Sequence, residues 1–417
     1  MGQPATGGPG LFGGLFDTGA ARTGDGAWLQ AMLDTEAALA RALERAGLAA
    51  SGAGAAVTSA AVADRFDAAE LGRQAAKTGN PVPALARALR AAVPASAAGA
   101  VHQGATSQDI LDTAAMLLAR RGLQTIGADL GRAADAAAGL ATRHTTTIMV
   151  GRTLLQQAVP VTFGLVAAGW LTGLDEARAG LAQVADRRLA VQFGGAAGTL
   201  AALGGDGPRV AVLLAEELGL AARALPWHTD RLRIVQLASA LAGAAAVLGK
   251  IARDVSLLAQ SEVGEVSEGG EGRGGSSAMP HKRNPVAAVV ILGCTRRVPG
   301  LLATLAAAAE QELQRAAGAW HAEWEPLADL LRLTGSAASW GAELLSGLQV
   351  DASRMRANLD AAGGFPMAEH LAALLAPALG PGEAHDLIAA ASAEAARAAR
   401  PLAQALASGE AARSLAA

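Results

Sequence analysis

The long apolar segments between residues 107 and 259 limit the fold more than any other feature of the sequence. Their periodicity predicts helices over residues 108–121, 123–144, 156–187, 208–219 and 229–260. The chain has no Tyr, six Phe and six Trp, so Ala, Leu and Val must fill the core, and such side chains favour closely packed helices. The sequence therefore predicts an all-α fold, with an elongated multi-helix bundle core and smaller helical N- and C-terminal domains.

Changes of pattern along the chain predict three domains. Residues 1–106 form the N-terminal helical domain, which begins with an amphipathic helix over residues 26–46. Residues 107–352 form the central bundle, which contains a mobile glycine-rich loop over 262–285 and resumes with a helix over 286–305. Residues 353–417 form a C-terminal helical domain.

Charge and cysteine content restrict the partners. The formal net charge is −3, from 34 basic and 37 acidic residues, which argues against nucleic acid or anionic lipid as a partner. The apolar stretch over 234–249 is shorter than the roughly 20 residues that span a bilayer, so we expect no membrane segment. A single cysteine, Cys294, excludes an internal disulfide and fits a reducing cytoplasm. The expected partner is a small molecule.

The glycine-rich loop carries the most suggestive polar residues. After Gly274 and Gly275 come the hydroxyls of Ser276 and Ser277, the ammonium of Lys282 and the amide of Asn284. Such donors suit the removal of a proton next to a carboxylate, where negative charge builds up on oxygen. A dinucleotide site is not expected, because no strand precedes the glycines, and the phosphate-loop pattern also fails. The alternative is a flexible linker with incidental charges.

Two further segments could bind carboxylates. His102, Thr106 and Ser107 precede the first long apolar helix, whose N-terminus could attract an anion, although helix capping alone explains Ser107. Arg152 and Gln156 would share one face if residues 151–160 were helical. A solvated helix start explains that second pair equally well.

The seven histidines do not indicate a metal site. None has another His at metal-ligand spacing with further ligands beside it, so we predict no metal site. His144, eight residues before Arg152, is a candidate proton donor, although a lone His is more often filler.

Three motifs together resemble the fumarase/aspartase superfamily. They are residues 275–285 (GSSAMPHKRNP), 102–109 (HQGATSQD) and 151–160 (GRTLLQQAVP), in the order expected for that superfamily. Further segments, FGGAAGTL at 193–200, AWHAEW at 319–324, MAEH at 367–370 and LQAMLDTEAALA near the start, are similar to the 3-carboxy-cis,cis-muconate cycloisomerase branch. The resemblance covers nearly the whole chain.

The resemblance implies three helical domains and a homotetramer whose composite active sites each use three subunits. Ser276 would exchange the proton at the α-carbon, and Lys282 and Asn284 would hold the carboxylate on which charge accumulates. The remaining anion cradle would comprise Thr106, Ser107, Arg152, Thr153, Gln156 and Arg315. The implied reaction is reversible lactonisation of a polycarboxylate muconate without metal or cofactor.

Two departures bear on the substrate. Leu154 stands where adenylosuccinate lyases carry a His, which argues against that activity and removes a general acid. Leu313 and Gln314 replace the His and Glu expected before Arg315. The alternatives are a related lyase that eliminates a group from a succinate-type substrate, or a catalytically silent helical scaffold.

Overall fold

Helices dominate the chain, which confirms the predicted all-α, multi-helix fold. The structure, a computed structural model, describes residues 10–19, 23–269, 274–275 and 278–408. In chain order the helices are α1 Gly13–Phe16, α2 Asp25–Ala46, α3 Ala53–Ala60, α4 Ala68–Thr78, α5 Val82–Ala92, α6 Ala95–Ala98, α7 Ser107–Arg143, α8 Phe163–Arg187, α9 Gly207–Leu218, α10 Leu232–Leu258, α11 Val286–Thr295, α12 Val298–Ala307, α13 Trp324–Gly347, α14 Ala352–Ala361, α15 Ala368–Leu379, α16 Pro381–Arg397 and α17 Leu402–Ser408.

Short elements complete the described part of the chain. Short 3-10 segments lie at Ala63–Arg65, Ala201–Asp206, His321–Glu323 and Phe365–Met367. The strands are β1 Ile148–Thr153, β2 Gln156–Thr162, β3 Val266–Glu268 and β4 Leu348–Val350, and they form two antiparallel pairs, β1–β2 and β3–β4.

The helix predicted over residues 156–187 is wrong in its first seven residues. These residues form β2, and α8 begins only at Phe163. The segment contains Pro160 between two valines, and proline lacks the N–H that a helix interior needs, whereas β-branched residues suit a strand. Residues 156–162 therefore pair with β1 as a strand, although their apolar periodicity also fits a helix.

Two other boundaries differ from the predictions. The helices predicted over 108–121 and 123–144 are one continuous helix of 37 residues, α7, because Gly122 costs only about 1 kcal/mol in a helix that packing stabilises. The helix predicted over 286–305 is two helices, α11 and α12, and Pro299 lies in the first turn of the second, where its missing N–H is tolerated.

The described chain divides into two compact units. The first comprises Met1–Arg132, Leu174–Lys250 and Val289–Ala342, and the second comprises Ala133–Gly173, Ile251–Ala288 and Glu343–Ala417. The first unit contains a large core in which Leu and Ala side chains of α2 pack with those of α5, α7 and α9. The predicted division at residues 106 and 352 stays a prediction.

A buried ionic cluster lies within the first unit. Arg231 is 1% exposed, and its guanidinium donates to both carboxylate oxygens of Asp112 at 2.7 and 3.1 Å. The same guanidinium donates through Nε to Glu323 at 2.9 Å. Trp320 Nε1 also donates to Asp112, at 3.0 Å. This cluster joins α7, the start of α10 and the turn before α13.

Cys294 lies in the same unit, on α11. Its side chain is fully buried, and burial raises the pKa of the thiol to about 11. The only cysteine of the chain is therefore a protonated core residue at neutral pH.

Two helical stretches are long and apolar enough to cross a membrane by length and composition, Leu232–Leu258 and Val286–Ala307. Core helices of water-soluble proteins pass the same test. The first of these, α10, carries Asp254, whose carboxylate accepts a hydrogen bond from Trp170 Nε1 at 2.7 Å. Such a polar pairing is typical of a helix packed inside a protein.

Replacing Arg231 with Met should destabilise the protein by about 3–5 kcal/mol, because two buried carboxylates lose their shared cation. The free energy of unfolding in urea measures this loss. Arg297→Met is the matched control, since the Arg297–Asp329 pair is exposed and should contribute less than about 1 kcal/mol. Equal stability of the two variants would contradict the assignment of Arg231 as a core pairing residue.

Candidate active site

The start of α7 is held in place by a buried aspartate. The Asp109 carboxylate accepts hydrogen bonds from the backbone N–H groups of Thr106, Gly194 and Gly195 at 2.9–3.0 Å. His228 Nε2 lies 2.7 Å from the same carboxylate. The Thr106 contact is one half of a capping box, in which a side chain in the first turn satisfies the N–H of the cap residue. Asp109 therefore fixes the loop before α7.

Thr106 and Ser107 are half-buried at the N-terminus of α7. Within the described chain neither hydroxyl has a hydrogen-bond partner, so both remain available to a ligand at the positive end of the helix dipole. This arrangement agrees with the predicted carboxylate site. The Ser107 hydroxyl, by contrast, makes no capping hydrogen bond to the described residues.

Arg315 lies beside this helix start. Its guanidinium donates to Gln108 Oε1 at 2.8 Å and to the Ala196 carbonyl at 2.7 Å. Gln108 is itself buried and donates to Asp112 and to the His228 carbonyl. The structure thus brings the predicted residues Thr106, Ser107 and Arg315 into one region of the first unit through Gln108.

His102 also belongs to this unit and is oriented by a residue that the sequence analysis missed. Its Nδ1 lies 2.7 Å from Glu36 Oε1, and its backbone N–H donates to Glu36 Oε2 at 2.8 Å. Glu36 is fully buried on α2. A signal was present, because Glu36 falls on the apolar stripe of that helix, where a charged residue requires a buried partner.

The second unit carries the hairpin β1–β2. Arg152 pairs with Gln157, and Thr153 pairs with Gln156. Side chains alternate between the two faces of a strand, so Arg152 and Gln156 lie on opposite faces. The predicted helical arrangement, which placed Arg152 and Gln156 on one face, is therefore wrong.

The tip of this hairpin is unusual. Leu154 and Leu155 have φ of 50° and 64°, a left-handed conformation that favours Gly and Asn. Their side chains are 97% and 70% exposed. The tip therefore exposes two neighbouring leucines in a backbone conformation that is costly for side chains of this type.

Arg152 does not point freely into solvent. Its Nη1 and Nη2 donate to the two carboxylate oxygens of Glu265 at 2.9 and 2.8 Å, and the guanidinium side chain is 22% exposed. Thr153 and Gln156, by contrast, are exposed. No periodicity or composition signal in the sequence pointed to Glu265.

Two described residues of the glycine-rich loop, Gly274 and Asn284, are joined by hydrogen bonds. The backbone N–H and the side-chain amide of Asn284 both donate to the Gly274 carbonyl, at 2.8 and 3.1 Å. Gly274 has φ of 76°, and a Cβ there would lie 2.3 Å from the Asn284 carbonyl oxygen, so only glycine fits. Lys282 is exposed. Ser276 and Ser277 lie outside the described residues.

Another part of the predicted structureless loop is ordered by pairing. Residues 266–268 form β3 against β4, and the Glu268 carboxylate accepts the backbone N–H groups of Ala287 and Ala288 at 2.9 Å. Glu268 thereby caps the N-terminus of α11.

His144 lies in the second unit, next to α8. Its Nδ1 is 3.0 Å from Thr147 Oγ1, and its ring packs edge-on against Phe163. In the described chain it makes no hydrogen bond to Arg152, Lys282 or Asn284. Burial, with a smaller contribution from the neighbouring Arg143, lowers the pKa of His144. A neutral imidazole at pH 7 suits a proton acceptor better than a donor.

Metal ligands are not grouped in the described part of the chain, which contains no cluster of three or more His, Cys, Asp or Glu side chains fit to hold an ion. The predicted absence of a metal stays a prediction.

Comparisons with known proteins agree on one family. A family model described as "Lyase" matches residues 20–300. A 3-carboxy-cis,cis-muconate cycloisomerase from Bradyrhizobium diazoefficiens is 50% identical over 372 residues, 88% of this chain and 82% of the relative. A nitrosuccinate lyase from Streptomyces davaonensis is 50% identical over 398 residues, 93% and 84% of the two chains. The crystal structure of 3-carboxy-cis,cis-muconate lactonizing enzyme from Pseudomonas putida has a TM-score of 0.89 at 45% identity, covering 95% of this chain and 90% of that one.

The His144 ring should titrate below the ordinary pKa of 6.5, as followed by NMR of the ring protons. The depressed pKa means that the folded state favours neutral imidazole. This contribution to stability is present above the unfolded pKa and is lost as the pH falls through the folded one. In His144→Gln the free energy of unfolding should fall less steeply as the pH is lowered through this range. A ring that titrates at or above 6.5 would contradict the lowered pKa of His144.

Proposed function

The chain belongs to the fumarase/aspartase superfamily of lyases, and from that membership we propose that it is a cycloisomerase acting on 3-carboxy-cis,cis-muconate. The observation that supports this most is the 50% identity to a cycloisomerase of that name across 88% of the chain. The product would be 4-carboxymuconolactone, and the substrate is a small polycarboxylate.

The proposed reaction combines the formation of a C–O bond with a proton transfer. One carboxylate of the substrate adds across a conjugated double bond, and a proton is delivered next to another carboxylate, so negative charge moves between oxygen and carbon. Preorganised donors must meet that charge where it develops. We assign this task to Lys282, Asn284 and Arg152 in the second unit.

A second group of donors would hold another substrate carboxylate. Thr106 and Ser107 offer two hydroxyls at a helix N-terminus that are unpaired among the described residues. Arg315 and the half-buried His102 belong to the same unit. We assign Thr153, Gln156 and Ser277 to the remaining contacts of the substrate.

Ser276 is the proposed proton-transfer residue, through exchange at the α-carbon. Convergent backbone N–H groups in a glycine-rich loop lower the cost of deprotonating a nearby hydroxyl. His144, with its lowered pKa, is a second proton acceptor in this proposal.

Leu154 supports a reaction in which the leaving group needs no proton. A leucine at the hairpin tip cannot act as a general acid, so elimination of an amine would lack a proton donor at this position. The carboxylate that departs when the lactone opens is a weak base and leaves without one.

Nitrosuccinate elimination is the second candidate, because the nitrosuccinate lyase aligns with 93% of this chain. Nitrite is also a weak base, so Leu154 is compatible with this reaction as well. The two candidates share the proton transfer next to a carboxylate and differ in the bond that breaks, C–O in the lactone and C–N in nitrosuccinate.

The assembly and location follow the same proposal. We propose a cytoplasmic homotetramer with composite active sites. Exposed apolar side chains support a large interface between copies of the chain, namely Leu154, Leu155, Leu165 and Val289.

Purified protein should consume 3-carboxy-cis,cis-muconate, which is followed by the loss of its conjugated absorbance. Nitrosuccinate is the matched second substrate, and release of nitrite reports its elimination. Turnover of nitrosuccinate alone would select the second candidate. Turnover of neither would favour the catalytically silent scaffold.

Ser276→Ala should lower kcat by about a thousandfold or more, as loss of a residue that transfers the proton does, while the assembly remains intact. Initial rates and native mass together measure this. Ser353→Ala, an exposed serine in α14, is the control and should keep its rate. An active Ser276→Ala enzyme would contradict the proton-transfer assignment.

A further inference from the structure

Glu265 is a buried carboxylate with one described cationic partner. Its side chain has no exposed surface, and its two oxygens accept one hydrogen bond each from Arg152 Nη2 and Nη1, at 2.8 and 2.9 Å. A parallel pair of this kind is the strongest form of arginine–carboxylate contact. Glu265 lies next to β3, and Arg152 lies on β1, so the pair joins two segments that are far apart in the sequence.

Glu265 is held in position independently of Arg152. Its backbone N–H donates to the Leu258 carbonyl at 2.9 Å, and its carbonyl accepts from Asp351 N–H at 3.0 Å. Asn358, on α14, donates through Nδ2 to Glu265 Oε1 at 2.8 Å. The carboxylate is therefore a fixed support, and the longer arginine side chain is oriented by it.

The contacts that Arg152 makes with the described residues leave one edge of its guanidinium without a hydrogen bond. A guanidinium has five N–H groups in a plane. Two go to Glu265, and a third, on Nη1, approaches the Val150 carbonyl at 3.4 Å. The Nε–H and the second Nη2–H remain. These two lie side by side on the same edge, which is the spacing that matches a second carboxylate.

We infer that Glu265 is a positioning residue that aims the Nε–Nη2 edge of Arg152 at one carboxylate of the substrate and cancels the net charge of the guanidinium. This inference rests on the proposed function. The Arg152–Glu265 pair then contributes directed hydrogen bonds without net positive charge. The site would select a planar carboxylate by geometry and would hold other anions, such as sulfate, weakly.

Glu265→Gln tests the inference, because glutamine keeps the shape and removes the negative charge. We expect kcat to fall on the order of tenfold to a hundredfold, as with other residues that orient a ligating group. The uncompensated guanidinium should bind inorganic sulfate about tenfold more tightly, as seen by calorimetry and as a lower inhibition constant. Glu265→Asp, which keeps the charge, should restore wild-type sulfate affinity and part of kcat.

Further variants separate positioning from folding. Glu262→Gln makes the same substitution at an exposed position three residues earlier and should match the wild type. Arg152→Gln in the Glu265→Gln background should abolish the gain in sulfate affinity, because it removes the uncompensated cation that the gain depends on. Asn358→Ala removes one contact to Glu265 and should lower kcat by a few-fold, which provides a milder test if Glu265→Gln does not fold.

The outcomes are distinct. The inference would be overturned if kcat and sulfate affinity were unchanged in Glu265→Gln. It would also be overturned if Glu265→Asp lost kcat as Glu265→Gln does and both losses followed the fall in thermal stability. The sulfate titrations need no substrate, so they decide the charge-cancelling role even if the protein fails to convert 3-carboxy-cis,cis-muconate.

Discussion

Buried carboxylates determine where the loops of this protein lie. Glu36, Asp109, Asp112, Glu265 and Glu323 are all nearly inaccessible to solvent, and each is bound by N–H groups, by a histidine or by an arginine. A buried charge without such partners would cost several kcal/mol, so the loops that supply the partners cannot move away independently. The helices provide most of the buried area, but these carboxylates fix the irregular segments that carry the candidate site residues.

The fold could be predicted from the sequence to the extent that apolar periodicity controls it. The five apolar segments predicted between residues 107 and 260 all contain helices, and Gly47 ends α2 in a left-handed cap, a conformation that glycine adopts without strain. The β1–β2 hairpin was missed because its apolar residues also fit a helical period, and only cross-strand pairing separates the two interpretations. The predicted break at residue 122 is absent, because the packing of α7 outweighs the small propensity cost of Gly122.

The candidate site, like the fold, has residues that the sequence could predict and residues that it could not. The motifs located most of the polar residues, because unusual residue types cluster along the chain there. Their partners Glu36, Glu265 and Asn358 come from other segments of the chain, and only tertiary contact shows that they matter. Arg152 illustrates the difference: its residue type predicted a carboxylate, and the structure adds that a carboxylate of the protein already occupies one edge. An enzyme that binds several carboxylates on one substrate needs such directional donors, since net charge alone would not distinguish one carboxylate from another.

The buried Cys294 gives the molecule an internal reporter of its own integrity. At pH 7 a thiol with a pKa near 11 is ionised in about one molecule in ten thousand, and its surroundings exclude reagents of any size. A thiol-reactive dye would therefore remain unreacted on the folded chain and label it at a single position as soon as the core around α11 opens. Opening of that core could therefore be timed on the purified protein without any engineered label.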